Sequence, residues 1–251
     1  MFPLLLTAVV AGGALQRITG MGFALAAGPF VVLMLGVEQG VLLINILGAT
    51  SSLANLIRVR KHVDWKLFGM LVIPAVLAGP LTVVALAGAP TRTLEVILGA
   101  AVVVGMTGAL LAGNLGSGDR IWRKGARGPA VAAGLLSGVG SGAAGIGGPP
   151  MAIYAVLDRT DQRVFAATLQ PFFMVNASFA AGARVLLAEV SYPDLAPWQW
   201  GAVVACVVVA GLLGDLIARW LPRTALRKVL VVVAYLGGTA TLLRGLGILP
   251  S

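Results

Sequence analysis

Charge is what this sequence has least of. Only 11% of its 251 residues are Asp, Glu, Lys or Arg, against 59% hydrophobic, where a soluble domain carries about a quarter charged residues. Such a chain cannot cover a water-exposed globule. With a mean hydropathy of +0.97, the surface it can cover is one that faces lipid. Long polar stretches are missing too. The longest runs from Gly113 to Gly128, which leaves no room for a soluble catalytic or nucleic-acid-binding domain. Cysteine occurs once, as Cys206 inside an apolar run, so no internal disulfide can form. Histidine also occurs once, as His62 in a basic loop. No metal-ligand cluster and no Ser–His set is legible, and no cofactor is expected. Carboxylates are scarce, and Glu38, Glu95 and Asp215 fall at or near helix ends rather than at membrane depth. A pump that relays protons usually carries intramembrane acids. An anion leaving a cell that is negative inside needs no relay, since it gains about 2.3 kcal/mol per charge per 100 mV. That balance favours efflux.

What is present is a series of apolar runs. They lie at about 3–16, 22–37, 40–57, 67–89, 94–113, 129–144, 146–157, 164–187, 198–218 and 229–249. A helix needs about 20 residues to cross the hydrocarbon. Six runs reach or approach that length. The other four are short and form two adjacent pairs, 3–37 and 129–157, each broken by glycine. The first break is Gln16-Arg17-Ile18-Thr19-Gly20-Met21-Gly22-Phe23, and the second spans Ser137 to Pro150. Irregular backbone at membrane depth is tolerated only where it is buried in protein or lines a cavity. Both pairs therefore read as helical hairpins with tips inside the membrane. The start, Met1 to Leu6, has no basic residue before its apolar run, unlike a cleavable leader, so the first segment is expected to remain.

The halves resemble each other: hairpin, then three long helices. Glu38-Gln39-Gly40-Val41 opens the long helix after the first hairpin, and Asp161-Gln162-Arg163-Val164 opens its counterpart. The expected fold is an all-α polytopic membrane protein of two inverted repeats, 1–116 and 129–251, joined by a basic cytoplasmic linker at 117–128. The net charge of +9 follows the same plan. Fourteen Lys and Arg fall in the loops around 58–66, 120–127, 159–163 and 219–228, and three, Arg92, Arg184 and Arg244, on the opposite side. Basic loops stay in the cytoplasm, so both termini are expected outside. The excess charge calls for no nucleic-acid partner.

The glycine-rich breaks Gly20-Met21-Gly22-Phe23, with Pro29 following, and Gly145-Ile146-Gly147-Gly148-Pro149-Pro150 resemble those of the sulfite exporter TauE/SafE family. So do the basic stretch Arg58 to Lys66, the later Gly211-Leu212-Leu213-Gly214, and Ala218-Arg219-Trp220-Leu221-Pro222. The first break departs from the family pattern in having Phe23 and Ala24 after Gly22. The resemblance spans nearly the whole chain. It implies a plasma-membrane permease for a small sulfur oxyanion or sulfonate, such as sulfite or thiosulfate, working by alternating access. Its partners would be that solute, the bilayer and, optionally, further copies of the chain. A carrier for another anion or a neutral solute is the rival within transport; an intramembrane enzyme or a scaffold subunit is the rival outside it.

The candidate substrate contacts are Arg17, Thr19, Gly20, Gly22, Asn45, Ser51, Asn55, Ser141, Gly147, Gly148, Gln170 and Asn176. An arginine near the bilayer centre costs about 2.5–3.5 kcal/mol on insertion scales and usually marks a substrate path; its planar fork suits an oxyanion. A charge at the cytoplasmic interface is the plainer alternative for Arg17. Each break also starts a half-helix, whose free N–H groups and positive dipole end suit an anion. The same glycines, Gly134 and Gly138 among them, would equally serve close helix packing. Polar residues on the long helices, at spacings such as 51 to 55, either line a path or bond neighbouring helices. Gly140 to Gly145 matches a dinucleotide-binding fingerprint letter by letter, but lacks the βαβ surroundings that give it meaning.

Overall fold

The computed structural model describes residues 2–19, 23–115, 126–220 and 223–249. Ten α-helices and one 3₁₀ turn make up the fold among these residues, with no strand. They are α1 (Phe2–Thr19), α2 (Phe23–Leu35), α3 (Val37–Val59), α4 (Trp65–Leu86), α5 (Thr91–Leu115), α6 (Arg127–Ala144), α7 (Gly148–Asp158), α8 (Gln162–Leu186), α9 (Pro197–Trp220) and α10 (Arg223–Gly245). The ten apolar runs correspond to these ten helices. Most of the linker expected at 117–128, up to residue 125, lies outside the described residues, as do Gly20 and Gly22.

Among the described residues, five helical stretches are long and apolar enough to cross a membrane: Val37–His62, Trp65–Leu86, Thr91–Leu111, Gln162–Leu186 and Pro197–Gly214. At 1.5 Å per residue α2 and α7 rise only about 20 and 17 Å, well short of a hydrocarbon core of about 30 Å. The surface is what lipid requires. On α4, Ile73, Leu77 and Leu81 form an exposed stripe one turn apart, while Leu71, Val72 and Ala75 are buried. The interior holds polar groups instead, including Gln16, Asn45, Ser51, Ser52, Asn55, Ser137, Ser141, Thr168, Gln170 and Asn176.

Local chemistry sets the helix boundaries. Asp64 caps α4 by accepting from the N–H groups of Lys66 and Leu67, both at 3.0 Å. Asp161 caps α8 in the same way through Arg163 and Val164. The end of α6 is set by Gly145, which takes the left-handed conformation, φ 70°. The Ile146 N–H then reaches back to the Gly140 carbonyl and the Gly145 N–H to that of Ser141, each at 3.0 Å. Pro149 and Pro150 sit in the first turn of α7, where their missing donors are no loss.

The arms of each hairpin pack on one another, α1 on α2 and α6 on α7. Each long arm also lies on a helix of the other half: α6 on α4, and α1 on α9. Helix α3 packs along α8, and α5 along α10. Glycines carry the tightest of these seams. On α6, a Cβ at Gly134, Gly138 or Gly142 would fall 2.3, 2.4 and 2.4 Å from the carbonyl oxygens of Leu71, Ala75 and Gly79 on α4. Two helices that touch backbone to backbone, turn after turn, need this small-residue ridge.

Candidate functional site

Residues flanking the first glycine break and residues of the second line one cavity. Its volume is about 50 Å³, room for a few water-sized groups. From the first break it is lined by Gln16, Phe23, Ala24 and Leu25, and from the second by Ser141 and Gly145 to Gly148. Ile44, Asn45, Gly48 and Ser52 of α3 and Phe173 and Ala177 of α8 complete the wall.

Side-chain bonds tie each break to a long helix. In the first, Gln16 Nε2 donates to Ser52 Oγ at 3.0 Å, and the guanidinium Nη1 of Arg17 donates to Asn55 Oδ1 at 3.4 Å. In the second, Asn176 Nδ2 donates to Ser141 Oγ at 2.8 Å, and Asn45 Nδ2 reaches the Ser141 carbonyl at 3.4 Å. Ser137 Oγ donates to the Gly147 carbonyl at 2.7 Å, folding the break back onto α6. A Cβ at Gly147 would fall 2.6 and 2.7 Å from the hydroxyls of Ser137 and Ser141, so only glycine leaves these bonds in place. The Gln16 Oε1 and Asn176 Oδ1 atoms are buried with no hydrogen-bond partner among the described residues.

Of the residues singled out from the sequence, Asn45, Ser141, Gly147 and Gly148 line the cavity. Asn176 stands behind it, holding Ser141. Arg17 is half-buried and bonded to Asn55, its stem crossing α9 where a Cβ at Gly214 would lie 2.7 Å from its own Cβ. Asn55 and Ser51 are buried on α3, outside the lining. Gln170 is buried on α8 and donates to the Ala166 carbonyl at 2.9 Å. Thr19 closes α1, its side chain outside the described set, and Gly20 and Gly22 lie outside it altogether.

Sequence reasoning passed over Gln16 and Arg184, and left Ser52 among the polar residues that either line a path or bond a neighbouring helix. Gln16 and Ser52 are immediate neighbours of chosen residues, Arg17 and Ser51, about 100° further round their helices. Arg184 reads as a charge near a helix end, yet it is only 6% exposed. Its Nη2 donates to the Gly142 carbonyl at 2.6 Å and reaches that of Ala143 at 3.4 Å. These are terminal carbonyls of α6, which the break deprives of partners within the helix, and a cation is favoured at that end of the dipole.

A cavity walled by two broken hairpins in an apolar-surfaced bundle is transporter architecture, and the family comparison agrees. The model of the family described as sulfite exporter TauE/SafE matches residues 4–241. The chain belongs to the TauE/SafE family. It is thereby a multi-pass membrane protein of a transporter family. No curated protein and no solved structure matches it. In this TauE/SafE protein the Phe23-Ala24 departure falls on the cavity wall itself, where it narrows the first half of the site with apolar surface.

Proposed function

We propose that the chain carries a small sulfur-containing anion, such as sulfite, thiosulfate or an organosulfonate, through the cavity between the two breaks by alternating access. The observation that carries this reading is one cavity shared by residues flanking the first break and residues of the second, with Gln16, Asn45, Ser52 and Ser141 in its lining. Helices α2 and α7 begin there, so their N-terminal N–H groups and positive dipole ends favour an anion. The two halves act as inverted repeats that rock about the site. Support comes from packing that exchanges between halves: α1 lies on α9 as α6 lies on α4. Likewise a Cβ at Gly237 of α10 would lie 2.5 Å from Pro29 of α2, and one at Gly105 of α5 lies 2.8 Å from Pro149 of α7.

Arg17 serves this site as a charge rather than as a contact. Labelled sulfite and thiosulfate flux into liposomes of the purified protein tests both points. The wild type should carry at least one of them, Arg17→Gln should weaken apparent affinity about tenfold, and Arg17→Lys should restore most of it. Absence of any flux of either ion would sink the reading. Unaltered affinity in Arg17→Gln would leave that residue an interfacial anchor.

Orientation has its own test. Gln39, near the start of α3, donates to Ser191 at 3.4 Å, while His62 lies past the other end of that helix, about 35 Å away along its axis. Ser191 and His62 thus mark opposite faces, and both are exposed. In a Cys206→Ala background, Ser191→Cys should react with an impermeant thiol reagent in intact cells, and His62→Cys only after the membrane is opened. The reverse pattern would turn the whole arrangement over.

A further inference from the structure

We infer that the cavity takes its oxyanion in the protonated, singly charged form, with Gln16 accepting the ion's proton in a hydrogen bond. This rests on the anion-transport reading and adds the charge state to it. Two observations lead there. The first is that no described residue lining the cavity carries a formal charge; its polar side chains are two amides and two hydroxyls. The cations bonded to its surroundings, Arg17 on Asn55 and Arg184 on the Gly142 carbonyl, stand outside the lining. Attraction to such outlying charges doubles when the ion's charge doubles. The cost of removing the ion from water rises with the square of its charge, so it grows about fourfold. With no cation in contact to offset that difference, a single negative charge is the form the cavity favours.

The second observation is an acceptor in search of a donor. Gln16 is 3% exposed and lines the cavity. Its Nε2 is engaged with Ser52, and its Oε1 is buried with no partner among the described residues. A fully deprotonated oxyanion offers only lone pairs, which repel that oxygen. A hydrogen oxyanion offers one donor along with its acceptors. It can satisfy Gln16 Oε1 while Asn45 and the hydroxyls of Ser52 and Ser141 donate to the rest of it. The proton then crosses the membrane on the substrate, which suits a chain whose carboxylates lie near helix ends. No titratable side chain lines the cavity among the described residues, so the ion itself is the group there whose charge changes with pH.

The test uses liposomes of the full chain, labelled sulfite at fixed total concentration, and pH varied from mildly acidic to mildly alkaline, with protein-free liposomes as the blank. Protein-dependent flux should follow the hydrogensulfite fraction, falling as sulfite becomes doubly charged. A trapped pH dye should report one proton delivered per ion. Sulfate, doubly charged across the range, should neither cross nor compete. Gln16→Met, of similar length but without the acceptor, should weaken hydrogensulfite by roughly ten- to a hundredfold. It should change competition by methanesulfonate, a monoanion with no proton to give, far less. Sulfite flux that is flat in pH, that follows the dianion, or that sulfate inhibits equally would overturn this inference and leave sulfite transport standing. No sulfite flux at any pH would overturn both.

Discussion

Arg184→Ala is expected to cost at least tenfold in sulfite flux, with a clear loss of thermal stability in detergent. Hydrogen bonds to a charged group contribute about 1.5–3 kcal/mol each, and a buried carbonyl left without a partner costs about 1–3 kcal/mol. Arg184 bonds the Gly142 carbonyl at 2.6 Å in a buried setting, and Gly142 is the residue after Ser141, which lines the cavity. Removing the guanidinium frees the end of α6 where the second break begins. Arg184→Lys should recover part of the loss, because an ammonium can meet one carbonyl but lacks the fork that reaches two. Wild-type flux and melting in the alanine variant would show that the break is held by its own turn geometry alone.

Gly138→Leu should act more severely, on the amount of folded protein. A Cβ there would fall 2.4 Å from the Ala75 carbonyl oxygen and 2.9 Å from its Cα. These are backbone atoms of α4, which no rotamer change can move aside. Overpacking typically costs about 1–3 kcal/mol and occasionally more, and here the whole α4–α6 seam must open. Gly211→Leu is the matched control, since a Cβ at Gly211 meets nothing within 4 Å. The yield of monodisperse protein on size exclusion should collapse for the first and hold for the second. Equal yields would mean that α6 can slide on α4 without loss.

These two residues also mark what could be read from the sequence and what could not. Helix number, the hairpins and the breaks were legible because their causes are local: run length, glycine where the backbone turns left-handed at Gly145, proline at the start of α7. Gly134 and Gly138 were legible as a packing motif through their spacing, although only the structure identifies α4 as the partner. The side chains facing the cavity were not. Neither α1 nor α3 gathers its polar residues on one face, so periodicity gives no face to choose. Adjacent residues point about 100° apart on a helix, and Arg17 drew attention through its charge while Gln16 held the wall. Arg184 was hidden for a different reason. Its partners lie some forty residues back in the chain, on a helix whose end had to be built before its bare carbonyls could be counted.

The exchange of arms between halves has a consequence for how the protein is made. Helix α1 rests on α9, and nearly the whole chain separates them. At about 5–20 residues per second of synthesis, α1 enters the bilayer roughly 10–40 seconds before its mate exists. Throughout that interval the face of α1 that meets Ala210 and Gly214 of α9, at Gly13 and the stem of Arg17, lies against lipid or a temporary neighbour. The second arm, α6, has the opposite history, for α4 is already in place when it emerges. The packing of α1 is therefore completed only when the ninth helix arrives. Mutations along the α1–α9 seam should then reduce the amount of protein that reaches the membrane intact more than they disturb molecules already assembled.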